Sequence, residues 1–339
     1  MKELLSSHPR IAIVGLAKNV GKTTTFNWLV EEGVRLGHCV GLASIGVDGE
    51  KQDVWDLHAK PAIDIKEGMW AATAKAALVD STARFRIVEE LKSSSPMGPV
   101  YLLESVQGGQ MKLAGTQMNE DILLTLERFT HYGVTLSFVD GAYDRLASAQ
   151  SRIVEGCILC TGASLDPHLE VAVKKTEEMI IRWKLPLALE SLNESERTKL
   201  LEEMSQKVMY QKDGEWISLD SPSLLSAVDI IRMKVAEGIE SLSIPGALTE
   251  WVMGHFISSK QPFTWVIEDP TKIFISRETM QRWFRAGGEI QVRRKSELLA
   301  LSVNPFSTMG IQDSDEWLYA MKKVAGPIPV LDALRRKII

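Results

Sequence analysis

Apolar and polar positions alternate along the first half of the chain in blocks that read as strand, helix, strand. Arg10 to Gly15 carries the short apolar run Ile-Ala-Ile-Val and stops at a glycine, the pattern of a buried strand. From Lys22 to Leu36 the positions of Phe26, Leu29, Val30, Gly33 and Val34 recur at helical spacing. Gly37 stands where a C-terminal cap is expected. A second strand, Cys39 to Val47, follows at once. Strand, glycine-containing loop, helix and strand make one βαβ unit, which predicts a parallel sheet.

The same texture continues. Pro99 to Val106, Val134 to Val139, Gly156 to Cys160 and Leu185 to Leu189 read as strands, and Asn119 to Tyr132 and Leu169 to Trp183 as helices. This alternation predicts an α/β fold with a doubly wound, mainly parallel sheet and helices on both faces. Between Leu192 and Gln206 the composition turns charged and polar, which places a boundary there. The expected division is a first domain over residues 1–195 and a second, smaller α/β domain over residues 207–339. Within the second, Lys207-Val-Met-Tyr and Trp216-Ile-Ser flank an Asp213-Gly214 hairpin signal. Helices are expected near Leu224 to Glu237, Ala247 to Ile257 and Glu278 to Arg285. Strands are expected at Phe263 to Ile267, Lys272 to Ile275 and Glu289 to Val292.

Composition narrows the function classes. With 339 residues, 45% hydrophobic and 24% charged, the chain is an ordinary globular protein with room for more than one domain. Its formal net charge of −5 gives no broad electrostatic footprint for nucleic acid. The local basic spot Arg293, Arg294 and Lys295 reads as a solvated turn. Cys39, Cys157 and Cys160 make no disulfide framework, and Cys157 and Cys160 sit within an apolar run, so they read as core residues. The first residues lack the apolar run of a signal peptide, and no uninterrupted apolar stretch of about 18 residues occurs. The expectation is a cytoplasmic protein that neither enters a membrane nor binds nucleic acid.

The chemistry concentrates in Gly15-Leu-Ala-Lys18-Asn19-Val20-Gly21-Lys22-Thr23-Thr24, set between a strand and a helix. That context predicts a P-loop. A triphosphate needs several inward N–H donors, which a helix N-terminus supplies together with a favourable dipole. Gly21 allows close backbone approach, Lys22 reaches the β- and γ-phosphates, and Thr23 offers its hydroxyl to Mg²⁺. The spacing is G-x5-G-K-T, so Gly15 comes one residue early and Leu16 takes the usual glycine position. A magnesium site also needs a carboxylate at a neighbouring strand end. Asp140 in Leu-Ser-Phe-Val-Asp, Glu104 in Val-Tyr-Leu-Leu-Glu, and Asp48 just past the second strand are the candidates. Each can equally be a helix cap. No Asn/Thr-Lys-x-Asp stretch follows the later strands, which favours ATP over GTP. Thr161-Gly-Ala-Ser164 either shapes the nucleoside pocket or caps the next helix.

The loop resembles those of dethiobiotin synthetase and of the molybdopterin-guanine-dinucleotide accessory proteins, P-loop proteins that often dimerise across the nucleotide. That resemblance raises Lys18 as a lysine reaching into a partner's site, although it lies one position late. Three further stretches, Val139 to Arg145, Thr161 to Ser164 and Asp269 to Ile275, together with the loop, resemble a reactivating-factor subunit of the adenosylcobalamin-dependent lysine 5,6-aminomutase. The resemblance implies an ATPase chaperone, with ATP and Mg²⁺ as cofactors and an aminomutase or sister reactivase subunit as partner, in a homo- or hetero-oligomer. No Asp-x-His-x-x-Gly signature for cobalamin occurs in this sequence, and the six histidines show no metal-ligand spacing. The competing classes are a ligase of the dethiobiotin synthetase kind, with its substrate beside Glu104 to Gly109, and a regulatory module that binds nucleotide without hydrolysis. Residues 207–339 carry no catalytic cluster, and their tryptophans Trp216, Trp251, Trp265, Trp283 and Trp317 are either core or a partner surface.

Overall fold

The computed structural model describes residues 1–45, 62–116, 118–141, 146–307 and 310–339. They form a mixed α/β structure that divides into two compact units. One combines Met1–Glu177 with Glu297–Ile339, and the other is Glu178–Ser296.

The first unit is built on strands β1 (Arg10–Gly15), β2 (Val40–Ile45), β3 (Trp70–Ala74), β4 (Arg84–Ser95), β5 (Gly98–Gln107), β6 (Leu136–Gly141) and β7 (Gly156–Gly162). Helices α1 (Lys22–Arg35), α2 (Asn119–His131) and α3 (Leu169–Trp183) connect them, α3 running on into the second unit. In the second unit come α4 (Glu194–Gln206), β8 (Met209–Lys212), β9 (Glu215–Ser218), α5 (Val228–Glu237), β10 (Ser241–Ser243), β11 (Thr264–Ile267), α6 (Arg277–Arg285) and β12 (Glu289–Val292). The chain then returns with β13 (Glu297–Asn304), α7 (Ser314–Ala325), β14 (Val330–Asp332) and β15 (Lys337–Ile338).

The large sheet runs β15-β14-β13-β7-β1-β6-β2-β3-β5-β4. Its interior, from β14 to β3, is parallel; β15 and β5 join it antiparallel at the two sides, and the edge strand β4 pairs antiparallel with β5. Both faces carry helices. Phe26, Leu29 and Val30 of α1 join Ile11, Ile13 and Phe138 in one buried cluster. On the other face Phe129 of α2 lies so close to Gly41 that an added Cβ would sit 2.8 Å from its ring. Any larger residue at 41 would push α2 off the sheet.

The expected division at residues 192–206 is therefore corrected. That segment is helix α4, capped by Asn193, whose side chain accepts from the Glu196 N–H, and it buries Leu201 and Met204. The C-terminal stretch expected in the second domain instead supplies β13, β14 and β15 to the large sheet. Charged composition marked the exposed face of a packed helix, not a linker. Leu185 to Leu189 is not a strand either. It touches β12 through the single bridge of Leu187 to Val292, and Pro186 has no N–H to extend it.

The second unit has its own sheet, β9-β8-β10-β11-β12, with the last three strands parallel. The Asp213-Gly214 turn joins β8 and β9 with both residues at positive φ (51° and 79°), as a two-residue hairpin of type I′ requires. Trp265 and Trp283 fill its core and Trp317 that of the first unit, so these three are not surface residues; Trp216 is half-buried and Trp251 exposed. Arg293 corrects the solvated-turn reading, because it is 2% exposed and donates to the Ile244 carbonyl oxygen at 3.3 Å. Cys157 and Cys160 are fully buried on β7, as expected of core residues. No described helix is long and apolar enough to cross a membrane.

Candidate functional site

The loop 15–24 leaves the carboxyl end of β1 at the centre of the parallel sheet. Its first turn is tied to the neighbouring strand, the Leu16 N–H donating to the Cys160 carbonyl oxygen at 2.9 Å. Val20, 1% exposed, folds back over Gly15, where an added Cβ would sit 3.1 Å from the Val20 side chain. Asn19 (φ 60°) and Gly21 (φ 80°) both lie in the left-handed region. Two such residues in three are costly for ordinary L-residues, and Asn and Gly are the types that tolerate it. The loop is thereby turned sharply enough to start α1 at Lys22, with Gly21 as N-cap. Thr25 N–H makes the first helical bond to the Gly21 carbonyl at 3.0 Å. By helix geometry, the N–H groups before it have no acceptor within the helix, which leaves a cluster of donors and positive dipole at the loop.

Lys22 does not extend to solvent. Its Nζ lies 3.0 Å from Asp140 Oδ1 and also donates to the Gly141 carbonyl oxygen. Asp140 stands near the end of β6, next to β1 and in register with Ile13 and with Ser44 of β2. The side chains of Lys22 and Asp140 are 14% and 11% exposed. An ammonium and a carboxylate so far withdrawn from water offset part of each other's desolvation by pairing. Beneath the loop, Thr25 Oγ1 donates to the Gly21 carbonyl and lies 2.7 Å from Ser302 Oγ of β13. Burial pushes the Cys160 thiol up to about 12, although a hydrogen bond with Thr25 pulls the other way. It is a neutral floor to the site, not a nucleophile.

The other candidates separate. Gly15, Val20, Gly21, Thr23 and Thr24 belong to the loop and the first turn of α1, and Lys18 and Asn19 are exposed at its tip. Thr24 also borders a cleft of about 490 Å³ along α1, with Asn27, Glu31, Lys66 and Arg336 among its walls. Asp48 lies outside the described residues, as do residues 142–145. Glu104 is not at the site, and this corrects its candidacy. Strand β5 runs antiparallel to the interior strands, so Glu104 pairs with Trp70 at the start of β3. Trp70 in turn pairs with Gly41, and Gly41 with Ser137. Glu104 therefore lies at the end of the sheet where the parallel strands begin, away from the loop. There it is ion-paired with Arg86. The segment 105–109 after it is at that same end, since Ser105 exchanges hydrogen bonds with Gly68 and Met69.

One residue of the site has no counterpart in the motifs. Asn304, the last residue of β13, donates from Nδ2 to the Asn19 carbonyl oxygen at 3.0 Å. Its own carbonyl accepts from the Ala163 N–H at 2.9 Å, just past the end of β7. Ser164 Oγ donates to the Phe306 carbonyl at 3.0 Å, so the 161–164 segment is bound to the chain that follows β13. The only sequence signal for Asn304 is a polar residue ending the mainly apolar run Leu298 to Val303. Among the described residues no group of three or more His, Cys, Asp or Glu side chains is arranged to hold a metal. Compared with known proteins, the chain has no significant match to a family model, a curated protein or a solved structure.

Proposed function

We propose that this chain is a P-loop protein that binds and hydrolyses Mg-ATP and whose nucleotide state drives work on a protein partner. The observation that carries the reading is the meeting of Lys22 with Asp140 beside the carboxyl ends of adjacent strands, at the N-terminal end of α1. A turn without a ligand has little use for a lysine drawn inward beneath a helix N-terminus, where the dipole opposes it. A polyphosphate anion reverses that balance. Lys22 would exchange part of its contact with Asp140 for phosphate oxygens, and the first-turn N–H groups would orient them. The Thr23 hydroxyl and Asp140 carboxylate are hard oxygen donors, the set that suits Mg²⁺ with its remaining waters. Bound there, the ion would neutralise charge developing on the phosphates.

The four motifs resembling a reactivating-factor subunit extend the proposal to the partner: an adenosylcobalamin-dependent aminomutase, acted on directly or through a sister subunit. The second unit, Glu178–Ser296, is then the natural candidate for partner recognition. The ligase alternative gains no support, because its expected substrate segment lies at the other end of the sheet from the loop. The test is hydrolysis of ATP by the purified chain, alone and with a turnover-inactivated aminomutase of this class. Mg-dependent hydrolysis, and return of mutase activity only with ATP, are expected. A chain that binds no ATP analogue at millimolar concentration would overturn the P-loop reading; hydrolysis without reactivation would overturn only the partner.

A further inference from the structure

The loop's left-handed turn is not held by the loop alone. We infer that Asn304 is a positioning residue that fixes the Asn19–Gly21 backbone in its donor-presenting shape, an inference that rests on the nucleotide-binding reading. Both ends of its side-chain amide are engaged. Nδ2 donates to the Asn19 carbonyl at 3.0 Å, and Oδ1 accepts from the Phe306 N–H at 3.2 Å. That pairing fixes which way the amide faces. A trans peptide points its C=O and N–H in opposite directions. Holding the Asn19 carbonyl toward Asn304 therefore aims the following N–H, that of Val20, to the other side of the loop. That N–H is one of the donors a phosphate would use.

The neighbouring backbone is shaped around the same residue. An added Cβ on Gly21 would lie 3.0 Å from Asn304 Cβ, and one on Gly162 would lie 1.9 Å from the Asn304 carbonyl oxygen. Gly162 has φ 150° and Gly21 φ 80°, so neither position accepts an ordinary side chain. The main chain of β13 has its own anchorage, since the strand pairs with β7 from Glu297 through Asn304. The amide side chain is thus free to serve the loop without being needed for the sheet.

The experiment compares wild type with Asn304→Ala and Asn304→Asp by amide hydrogen exchange in the nucleotide-free protein. Titration calorimetry with a non-hydrolysable ATP analogue and Mg²⁺ follows. Both substitutions are expected to speed exchange at the loop's hydrogen-bonded amide, Thr25 N–H on the Gly21 carbonyl, by up to roughly tenfold, the weight of one hydrogen bond, with β1 and β7 amides unchanged. Analogue affinity falls by a similar factor for Ala. It falls further for Asp, whose size is conserved but whose carboxylate faces a carbonyl oxygen and the incoming phosphates. Unchanged loop exchange in both variants overturns the inference, as does Asp behaving like wild type. If wild type itself binds no analogue while loop exchange still rises in the variants, the clamp stands and the nucleotide reading falls.

Discussion

Lys22 and Asp140 hold each other across two neighbouring strand ends, and that contact sets what their substitution should do. Each is nearly buried, so removing one takes from the other a charge that offsets its desolvation. Lys22→Ala should abolish binding of an ATP analogue and lower stability by about 1–3 kcal/mol. Asp140→Asn keeps the shape but removes the charge. It should lower ATP hydrolysis at least tenfold more than it weakens nucleotide binding, if Asp140 orders the metal's waters. Calorimetric titration, steady-state hydrolysis and urea unfolding of the two variants measure all of this. Equal losses of binding and turnover in Asp140→Asn would assign that residue to folding alone. At the residue scale the placement of the loop was legible: the apolar run before it and the helical pattern after it are strand β1 and helix α1. Asn304 was illegible for a physical reason: its role depends on a backbone carbonyl 285 positions away, and no local spacing encodes that contact.

At the scale of elements, strand β7 is the clearest case of pattern and structure agreeing. All seven of its residues are buried, between β1 and β13. Cys157 and Cys160 lie within it, and burial raises the Cys160 thiol to about 12. A thiol whose folded pKa is raised stays protonated at pH 8, where an unfolded cysteine is partly thiolate. Native protein treated with a thiol reagent at pH 8 should therefore leave Cys157 and Cys160 unmodified. Cys39, half-buried and also shifted upward by burial and by Glu104, should react slowly. In denaturant all three should react. Rapid labelling of Cys160 in the folded protein would show that β7 is open. Other elements were only partly legible. An apolar run tells that β5 is a strand but carries no direction. Reading Pro99 to Val106 as one more parallel strand brought Glu104 to the wrong end of the sheet. Its partner β4 went unrecognised because its charged and apolar positions mix, as they do on a solvated edge strand. The Asp213-Gly214 hairpin was readable because its turn chemistry is local and specific.

The whole molecule is organised by a return of the chain that composition does not announce. After Glu178–Ser296 the chain comes back to the first unit, and β13 inserts between β7 and β14. A charged stretch near residue 200 looked like a boundary because nothing in a linear pattern marks a strand as belonging to a sheet begun 287 positions earlier. The consequence is a prediction about truncation. A chain ending near residue 195 keeps the loop, α1 and Asp140, and on the linear reading it should bind ATP unaided. On the observed topology it lacks β13, β14, β15 and α7. It loses Leu301, Trp317, Met321 and Leu331, each at most 2% exposed. At roughly 1.5–3 kcal/mol for each large apolar side chain, those four alone approach the 5–15 kcal/mol of net stability typical of a domain. β7 would also become an apolar edge with unpaired backbone groups, open to association. The Asn19 carbonyl and the Thr25 hydroxyl would lose Asn304 and Ser302. The truncated chain should therefore aggregate or show no cooperative melt, and should bind an ATP analogue at least a hundredfold more weakly than the full chain. Size-exclusion chromatography, thermal denaturation by circular dichroism and calorimetric titration read these outcomes. A monomeric, cooperatively melting fragment with full-chain affinity would mean that the last 43 residues (297–339) are dispensable to the loop, and that the sheet order does not govern the site.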